Sequence, residues 1–285
     1  MIRIRGLAKS YGDVPAVQDL NLEIRKGELC VLLGPSGCGK STTLRLINRL
    51  LPMDSGRVWI NGRDTTEVPP DILRRSLGYV IQNVGLFPHM TVFDNIAVVP
   101  RLKKWKKDRI ARRVEELLSM TGLPFDYARR YPRELSGGEA QRVGVARALA
   151  AEPSVLLMDE PFGALDLLNR RLLQKEFRGL QRRLGMTVLF VTHDVEESLE
   201  LADTMAVMNR GRIVQWGRPE DFLFRSRDPF IPRFLGSDYG LNLLRLRPKE
   251  ETSSRLRILN EAGEVLGTLE DGGFFLASGA GEWEK

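Results

Sequence analysis

The chain has 285 residues, 42% hydrophobic and 28% charged, a balance that excludes intrinsic disorder at a length that excludes a peptide or a disulfide-stapled mini-protein. Two cysteines (Cys30, Cys38) and two histidines (His89, His193) are too scattered for a structural zinc module. The net charge of +6 suits an anionic ligand, a membrane surface or nucleic acid without choosing among them, and no apolar run is long enough to span a bilayer, so the chain is expected to be soluble.

Residues 2–33 alternate apolar and polar in short runs (Ile2, Ile4; then Leu20, Leu22, Ile24) and end in the continuous run LCVLL before Gly34, which predicts strands feeding a glycine loop. STTLRLINRLL (41–51) then has helical spacing and stops at Pro52, and GRVWINGRD (56–64) carries an Asn-Gly turn that predicts a hairpin. From Thr91 to about Ala151 the pattern is mostly helical, opened by Thr91 as a cap with Asp94 three residues on. SVLLMD (154–159), MTVLFVTH (186–193) and MAVMN (205–209) are short apolar runs between helical stretches, the βαβ alternation of a largely parallel sheet. From Lys249 onward eight acids face four bases, leaving +10 on the first 248 residues, and this shift near Pro248 marks the one candidate domain edge.

GPSGCGKS (34–41) fits the pattern G-x-x-x-x-G-K-[ST]. Gly34, Gly37 and Gly39 let backbone N–H groups curl around phosphate, Lys40 reaches the β- and γ-phosphates and Ser41 ligates magnesium. Pro35, Ser36, Cys38 and Thr42 complete the stretch expected to hold ATP. The helix that follows adds about 0.3–2 kcal/mol through its dipole. A lysine charge about 4 Å from a phosphate oxygen has a Coulomb attraction of about 4 kcal/mol at an effective dielectric of 20, so Lys40 dominates. VLLMDE (155–160) puts two acids at the carboxyl end of a buried strand, with Asp159 expected to hold magnesium and Glu160 to position or deprotonate the attacking water. LSGGEAQR (135–142) places Ser136, Gly137 and Gly138 at a helix N-terminus, read either as a second anion site or as a serine cap after a loop.

Tyr11, GPSGCGKS, Gln82, LSGGEAQR, VLLMDE, the ALD at 164–166 and His193 occur in the order found in the nucleotide-binding subunits of ABC transporters, and residues 1 to about 236 resemble one such subunit. The resemblance implies an α/β P-loop NTPase fold: a RecA-like core sheet, an N-terminal antiparallel β part, an inserted helical lobe over about 86–151 and a short C-terminal β tail over 237–285. It implies a head-to-tail dimer of two copies, in which Ser136 and Gly138 of one protomer contact the γ-phosphate of ATP held by the other's loop. Tyr11 would then stack on adenine, Gln82 would link magnesium and γ-phosphate to the transmembrane partner, Asp166 would cross the dimer interface, and His193 would sense the γ-phosphate. Glu139 and Ala140 stand where importer subunits most often carry Gln-Gln.

VIQNVGLFPHMTVFDNIAVVPRLKKWKK (80–107) resembles the importers of glycine betaine, choline and proline betaine, in which this stretch receives a helix of the permease. That family implies transmembrane permease subunits, a separate solute-binding protein and a place on the cytoplasmic face of the membrane. A soluble ABC ATPase acting on nucleic acid or the ribosome is the alternative, although neither a second cassette nor a coiled-coil insertion is present; a P-loop kinase would have no use for LSGGEAQR. The basic residues Arg101, Lys103, Lys104, Lys106, Lys107, Arg109, Arg112 and Arg113 read by default as a solvated helix face, with anionic headgroups as a second reading; no nucleic acid is expected.

Two further expectations concern the cysteines and the tail. Cys38, near Lys40 and a helix N-terminus, is expected to be a reactive thiol protected by Mg-ATP, with Cys30 inert in its strand. RLRILNEAGEVLGTLEDG (255–272) reads as two strands around a Glu-Ala-Gly turn and resembles a fragment of one CBS unit, too short for the tandem pair that many betaine-importer ATPases carry, so the tail is not expected to be a ligand-binding regulatory domain.

Overall fold

LCVLL forms strand β3 (Leu29–Leu33), and all five residues are buried. A strand with parallel neighbours on both edges and layers on both faces has no polar side to show, which is why its sequence does not alternate. The structure is a computed structural model that describes residues 1–82, 84–163, 167–224, 228–236, 256–259, 265–270 and 273–276. Around β3 lie β6 (Leu77–Val80), β7 (Val155–Asp159), β8 (Thr187–Thr192), β9 (Thr204–Asn209) and β10 (Arg212–Gly217), in the order β10-β9-β3-β8-β7-β6. These pairs run parallel except β9 with β10.

A second, antiparallel sheet has the order β2-β1-β4-β5, with β1 (Ile2–Tyr11), β2 (Val14–Ile24), β4 (Ser55–Ile60) and β5 (Arg63–Asp64). Ile2 pairs with Ile24 and Ile4 with Leu22, all buried, while Arg3 and Arg5 between them are exposed. The apolar face shares one core with Leu44 and Ile47 of helix α1 (Lys40–Ile47) and with Leu32, Leu157 and Leu189 of the parallel sheet. The hairpin expected at Asn61-Gly62 joins β4 to β5, with φ of 50° and 82° as such a two-residue turn requires.

Helix α1 stops at Ile47, short of the expected Leu51. The Arg49 amide donates to Leu46 O and the Leu50 amide to Arg45 O at 2.8 Å, closing the helix around Arg49 at φ 50°. The left-handed conformation costs Arg49 about 1–2 kcal/mol. Its guanidinium offsets this by donating to Thr65 O at 2.8 Å and Val68 O at 2.6 Å, long-range partners that helical spacing does not reveal.

After α2 (Pro70–Ser76) and β6, the chain enters α3 (Val92–Leu102), α4 (Lys107–Met120), two short 3-10 turns (Phe125–Arg129, Pro132–Glu134) and α5 (Gly137–Leu149), as the helical pattern predicted. Thr91 caps α3, accepting from the Asp94 amide at 3.1 Å and donating to the Asp94 carboxylate at 2.8 Å. Of the eight basic residues only Arg113 is buried, and the exposed face made by the others is the expected one, with four of the eight making contacts within the lobe. Arg113, buried, donates to Leu149 O; Lys103 donates to Ala151 O; Arg109 pairs with Glu152 over the Trp105 ring; Arg101 pairs with Asp94.

The core continues with α6 (Leu167–Leu184) before β8 and α7 (Val195–Leu201) after it. The chain divides into two compact units, Met1–Pro219 and Glu220–Lys285. The second holds α8 (Asp221–Phe224), α9 (Phe230–Leu235) and a three-stranded antiparallel sheet of β11 (Leu256–Leu259), β12 (Val265–Glu270) and β13 (Gly273–Leu276). The two expected tail strands are β11 and β12; the Glu-Ala-Gly turn between them lies outside the described residues, and β13, with the sequence GFFL, is a third strand whose residues do not alternate.

Asn95, fully buried, ties the 87–91 loop to α3, accepting from the Phe87 amide at 2.8 Å and donating to the carbonyls of Phe87, Met90 and Thr91. Asn95→Leu is expected to lower unfolding free energy by about 2–3 kcal/mol in urea titration, because it leaves buried backbone groups unpaired.

Candidate functional site

The parallel register sets Leu33 beside Thr192 and Asp159 beside Val191, so β3, β7 and β8 end at one level of the sheet. The segments that follow are the 34–41 loop, Glu160 and His193, and all three therefore open onto one crevice at the carboxyl edge.

The loop passes close to the sheet. A Cβ on Gly34 would meet Met208 O at 2.2 Å, and one on Gly39, at φ 109°, would meet Ala16 O at 2.3 Å. Only glycine fits at either place. Ser36 and Gly37 are exposed at the tip and Pro35 half-buried, while the Cys38 carbonyl accepts from the Gly211 amide at 2.9 Å and anchors the far side. Helix α1 begins at Lys40 with no side-chain cap, so the amides of Lys40, Ser41 and Thr42 are not taken by a capping side chain, whereas Thr91, Ser136 and Asp194 cap α3, α5 and α7. Lys40, 5% exposed, donates to Gly34 O at 2.7 Å and Pro35 O at 3.0 Å, holding its ammonium inside the loop.

Ser41 Oγ donates to Asp159 Oδ1 at 2.9 Å. Burial pushes the Asp159 carboxyl above its usual range, the neighbouring Glu160 adds to the rise, and the Ser41 bond, Arg45 and Lys40 oppose it. A hydroxyl and one buried carboxylate in contact, beside a phosphate-sized loop, fit a magnesium ion that takes its other ligands from phosphate and water.

Glu160 follows at φ 44°, a left-handed turn that ends β7. Its Oε2 accepts from Gln82 Nε2 at 3.1 Å, and its Oε1 lies 3.1 Å from His193 Nδ1. A carboxylate only accepts, so Nδ1 carries the hydrogen of that contact. Gln82 thus meets the acid next to Asp159 through an exposed side chain.

Ser136 caps α5, with its Oγ accepting from the Glu139 amide at 3.3 Å and its own amide donating to Glu139 Oε2 at 2.7 Å. The structure shows the serine cap, and the capping contacts of Ser136 involve the Glu139 amide and carboxylate and not the amides of Gly137 and Gly138. Tyr11 is half-exposed where β1 turns into β2. Asp166 and the rest of the ALD run lie outside the described residues. Sequence reasoning passed over Tyr127, whose hydroxyl donates to Glu139 Oε1 at 2.7 Å, and Arg147, which donates to Val84 O and Gly85 O beyond Gln82; aromatic and basic residues on helical spacing carry no signal for such partners.

The reactive thiol expected at Cys38 is corrected by the structure. The residue is 4% exposed, and burial pushes its thiol above the ordinary range against the opposing pull of Lys40. Lys40 donates to two loop carbonyls and makes only a long 3.9 Å hydrogen bond to the sulfur, whose pull does not overcome the burial. Cys30, fully buried in β3, is pushed up to about 12.

Residues 17–163 match the family model described as ABC transporter. The chain belongs to the ABC transporter family. The osmoprotectant import ATP-binding protein OsmV of Salmonella typhimurium is 49% identical over 252 residues, covering 86% of this chain and 66% of that protein. The glycine betaine uptake system ATP-binding protein YehX of Escherichia coli is 50% identical over 248 residues, covering 87% of this chain and 80% of its own. The chain thus spans just under two thirds of the length of OsmV. Among solved structures, the ATP-binding cassette MJ0796, as a dimer bound to ADP and Pi after hydrolysis, superposes with a TM-score of 0.71 at 31% identity over 76% of this chain and 98% of that one. Among the described residues no helix is long and apolar enough to cross a membrane.

For this ABC transporter chain, a raised thiol pKa means less thiolate at neutral pH, with reactivity climbing only as pH rises toward and past 9. Native protein at pH 7.5 is expected to react with Ellman's reagent at less than about a tenth of the rate of free cysteine. Fast labelling of Cys38 at that pH would contradict its burial.

Proposed function

We propose that the chain is the ATP-hydrolysing subunit of an ABC importer, with quaternary-amine osmoprotectants of the glycine betaine and choline class as its solutes. The observation that carries the reading is Glu160, held between Gln82 and His193 next to the Ser41–Asp159 pair and the Lys40 loop. The solute class rests on the import systems named for OsmV and YehX and on the run at 80–107.

ATP would bind with its phosphates in the 34–41 loop, where Lys40 exchanges the carbonyls of Gly34 and Pro35 for phosphate oxygens at the charge-assisted strength of an ammonium–phosphate contact. The Lys40, Ser41 and Thr42 amides would close around the β-phosphate, and Tyr11 would supply a face for adenine. Magnesium, held by Ser41 and Asp159 with Gln82 alongside, would neutralise charge on the phosphate oxygens. Each Glu160 oxygen has one lone pair engaged by its neighbour and another left to accept from the attacking water. Water oxygen attacks the γ-phosphorus, its proton passes to Glu160, and the bond to the bridging oxygen breaks to leave ADP and phosphate. A His193 contact to the γ-phosphate through Nε2 requires the imidazolium or release of Glu160, since Nδ1 carries the hydrogen that Glu160 accepts.

The site would be completed by a second copy placed head to tail, with Ser136, Gly137 and Gly138 of one protomer on the γ-phosphate of the other and Asp166 crossing between them. The dimeric state of MJ0796 with ADP and Pi supports a dimer, and the head-to-tail placement rests on the resemblance. We assign residues 1–236 to the ATPase domain, with 86–151 as the lobe that receives the permease, and 237–285 to a tail resembling a CBS fragment. Permease subunits would hold the protein at the cytoplasmic face of the membrane, and a separate solute-binding protein would deliver the solute. Action on nucleic acid gains no support from the relatives, since OsmV and YehX are both named for import or uptake.

Glu160→Gln is expected to bind ATP, lose at least about 100-fold in hydrolysis and accumulate as a dimer in size-exclusion chromatography. Lys40→Ala is expected to lose nucleotide binding, and EDTA to abolish hydrolysis by the unaltered chain. Equal ATP affinity in Lys40→Ala and the unaltered chain would overturn the phosphate cradle; the solute assignment fails if permease, binding protein and this chain together take up no radiolabelled glycine betaine or choline.

A further inference from the structure

We propose that Tyr127 is a positioning residue for the anion site at the start of α5, and that it does so by holding the Glu139 carboxylate inside the capping box, off the free amides of Gly137 and Gly138. The inference rests on the reading above that this helix end receives a phosphate.

Glu139 is an anion of the chain itself, three residues into a helix whose N-terminus attracts anions. In a side chain of that length the carboxylate can fold back onto the Gly137 and Gly138 amides, where it would compete with phosphate and repel it. Both of its oxygens are taken instead. Oε2 accepts from the Ser136 amide at 2.7 Å, and Oε1 accepts from the Tyr127 hydroxyl at 2.7 Å. The first bond alone is local and leaves the carboxylate free to pivot; the second comes from a different segment, the 3-10 turn Phe125–Arg129.

That turn is itself braced. The Arg130 guanidinium lies 3.6 Å from the centre of the Tyr127 ring, and Arg130 O accepts from the Val92 amide at 2.8 Å, tying the turn to the first residue of α3. Glu139 is held below the usual carboxylate range, with the Tyr127 bond the largest cause, so the group stays charged throughout the working pH range. A neutral glutamine at this position would pose no charge problem, and the clasp belongs with the glutamate found here.

Four full-length proteins test this: the unaltered chain, Tyr127→Phe, Glu139→Gln and the double variant, each assayed for steady-state ATP hydrolysis. Tyr127→Phe removes one oxygen and keeps the ring under Arg130, so the fold is retained, which thermal melting verifies. The expected result is a fall in kcat of about tenfold in Tyr127→Phe with KM for ATP within about twofold, because the loop around Lys40 sets nucleotide affinity and the α5 site engages only as the γ-phosphate is enclosed. In the Glu139→Gln background, Tyr127→Phe is expected to change kcat by less than about twofold, since no charge remains to restrain. An equal loss in both backgrounds means that Tyr127 acts through packing alone and overturns the proposal, as does an unchanged kcat in Tyr127→Phe. If the unaltered chain hydrolyses no ATP at all, the proposed function falls and this inference with it, whereas an active chain with equal losses overturns this inference only.

Discussion

The common end level of β3, β7 and β8 is the constraint from which the rest follows. Parallel pairing of Leu33 with Thr192 and of Asp159 with Val191 brings a glycine loop, two acids and a histidine from separate parts of the chain to one edge. A parallel sheet buried on both faces cannot slip by one residue without sending every side chain into the layer packed on the opposite face, so this coincidence is held by the packing of the whole core.

Electrostatics within the edge are arranged before any ligand is considered. Lys40 is buried with its charge satisfied by two carbonyls, and Asp159 is buried with a hydroxyl on one oxygen. Each is held by neutral partners, so binding would exchange bonds with one ionised member for contacts in which both members are charged. The same burial that makes this pairing strong silences Cys38, since a low-polarity surrounding opposes every lone ionised group near it.

The helix start proposed as a second anion site is built differently. At α1 the helix start is uncapped and enclosed by the loop, whereas at α5 it is capped by Ser136 and only partly free. A capped start is rigid in isolation and exposes fewer amides, which suits a surface completed from outside rather than a pocket that encloses its ligand. Tyr127 and Glu139 then act as one device: the glutamate stabilises the helix start, and the tyrosine keeps that stabilising charge from occupying the place it prepares.

Composition and short-range pattern determined the element types, because a run such as LCVLL or an Asn-Gly turn carries its own local physics, and they singled out the proposed phosphate loop, since glycine, lysine and serine at that spacing have few other uses. The order of the motifs determined the family. Tertiary structure alone decided that Gln82, Glu160 and His193 converge, that α1 closes at Arg49 through bonds to Thr65 and Val68, and that Lys103 and Arg113 of the basic run donate to the carbonyls of Ala151 and Leu149. It also decided that Cys38 is buried and that Tyr127 meets Glu139. Each of these depends on partners distant in the chain or on the depth at which a group lies. Burial and long-range hydrogen bonding are properties of the packed whole, and a linear pattern records only the neighbours that a helix or strand brings together by its own repeat.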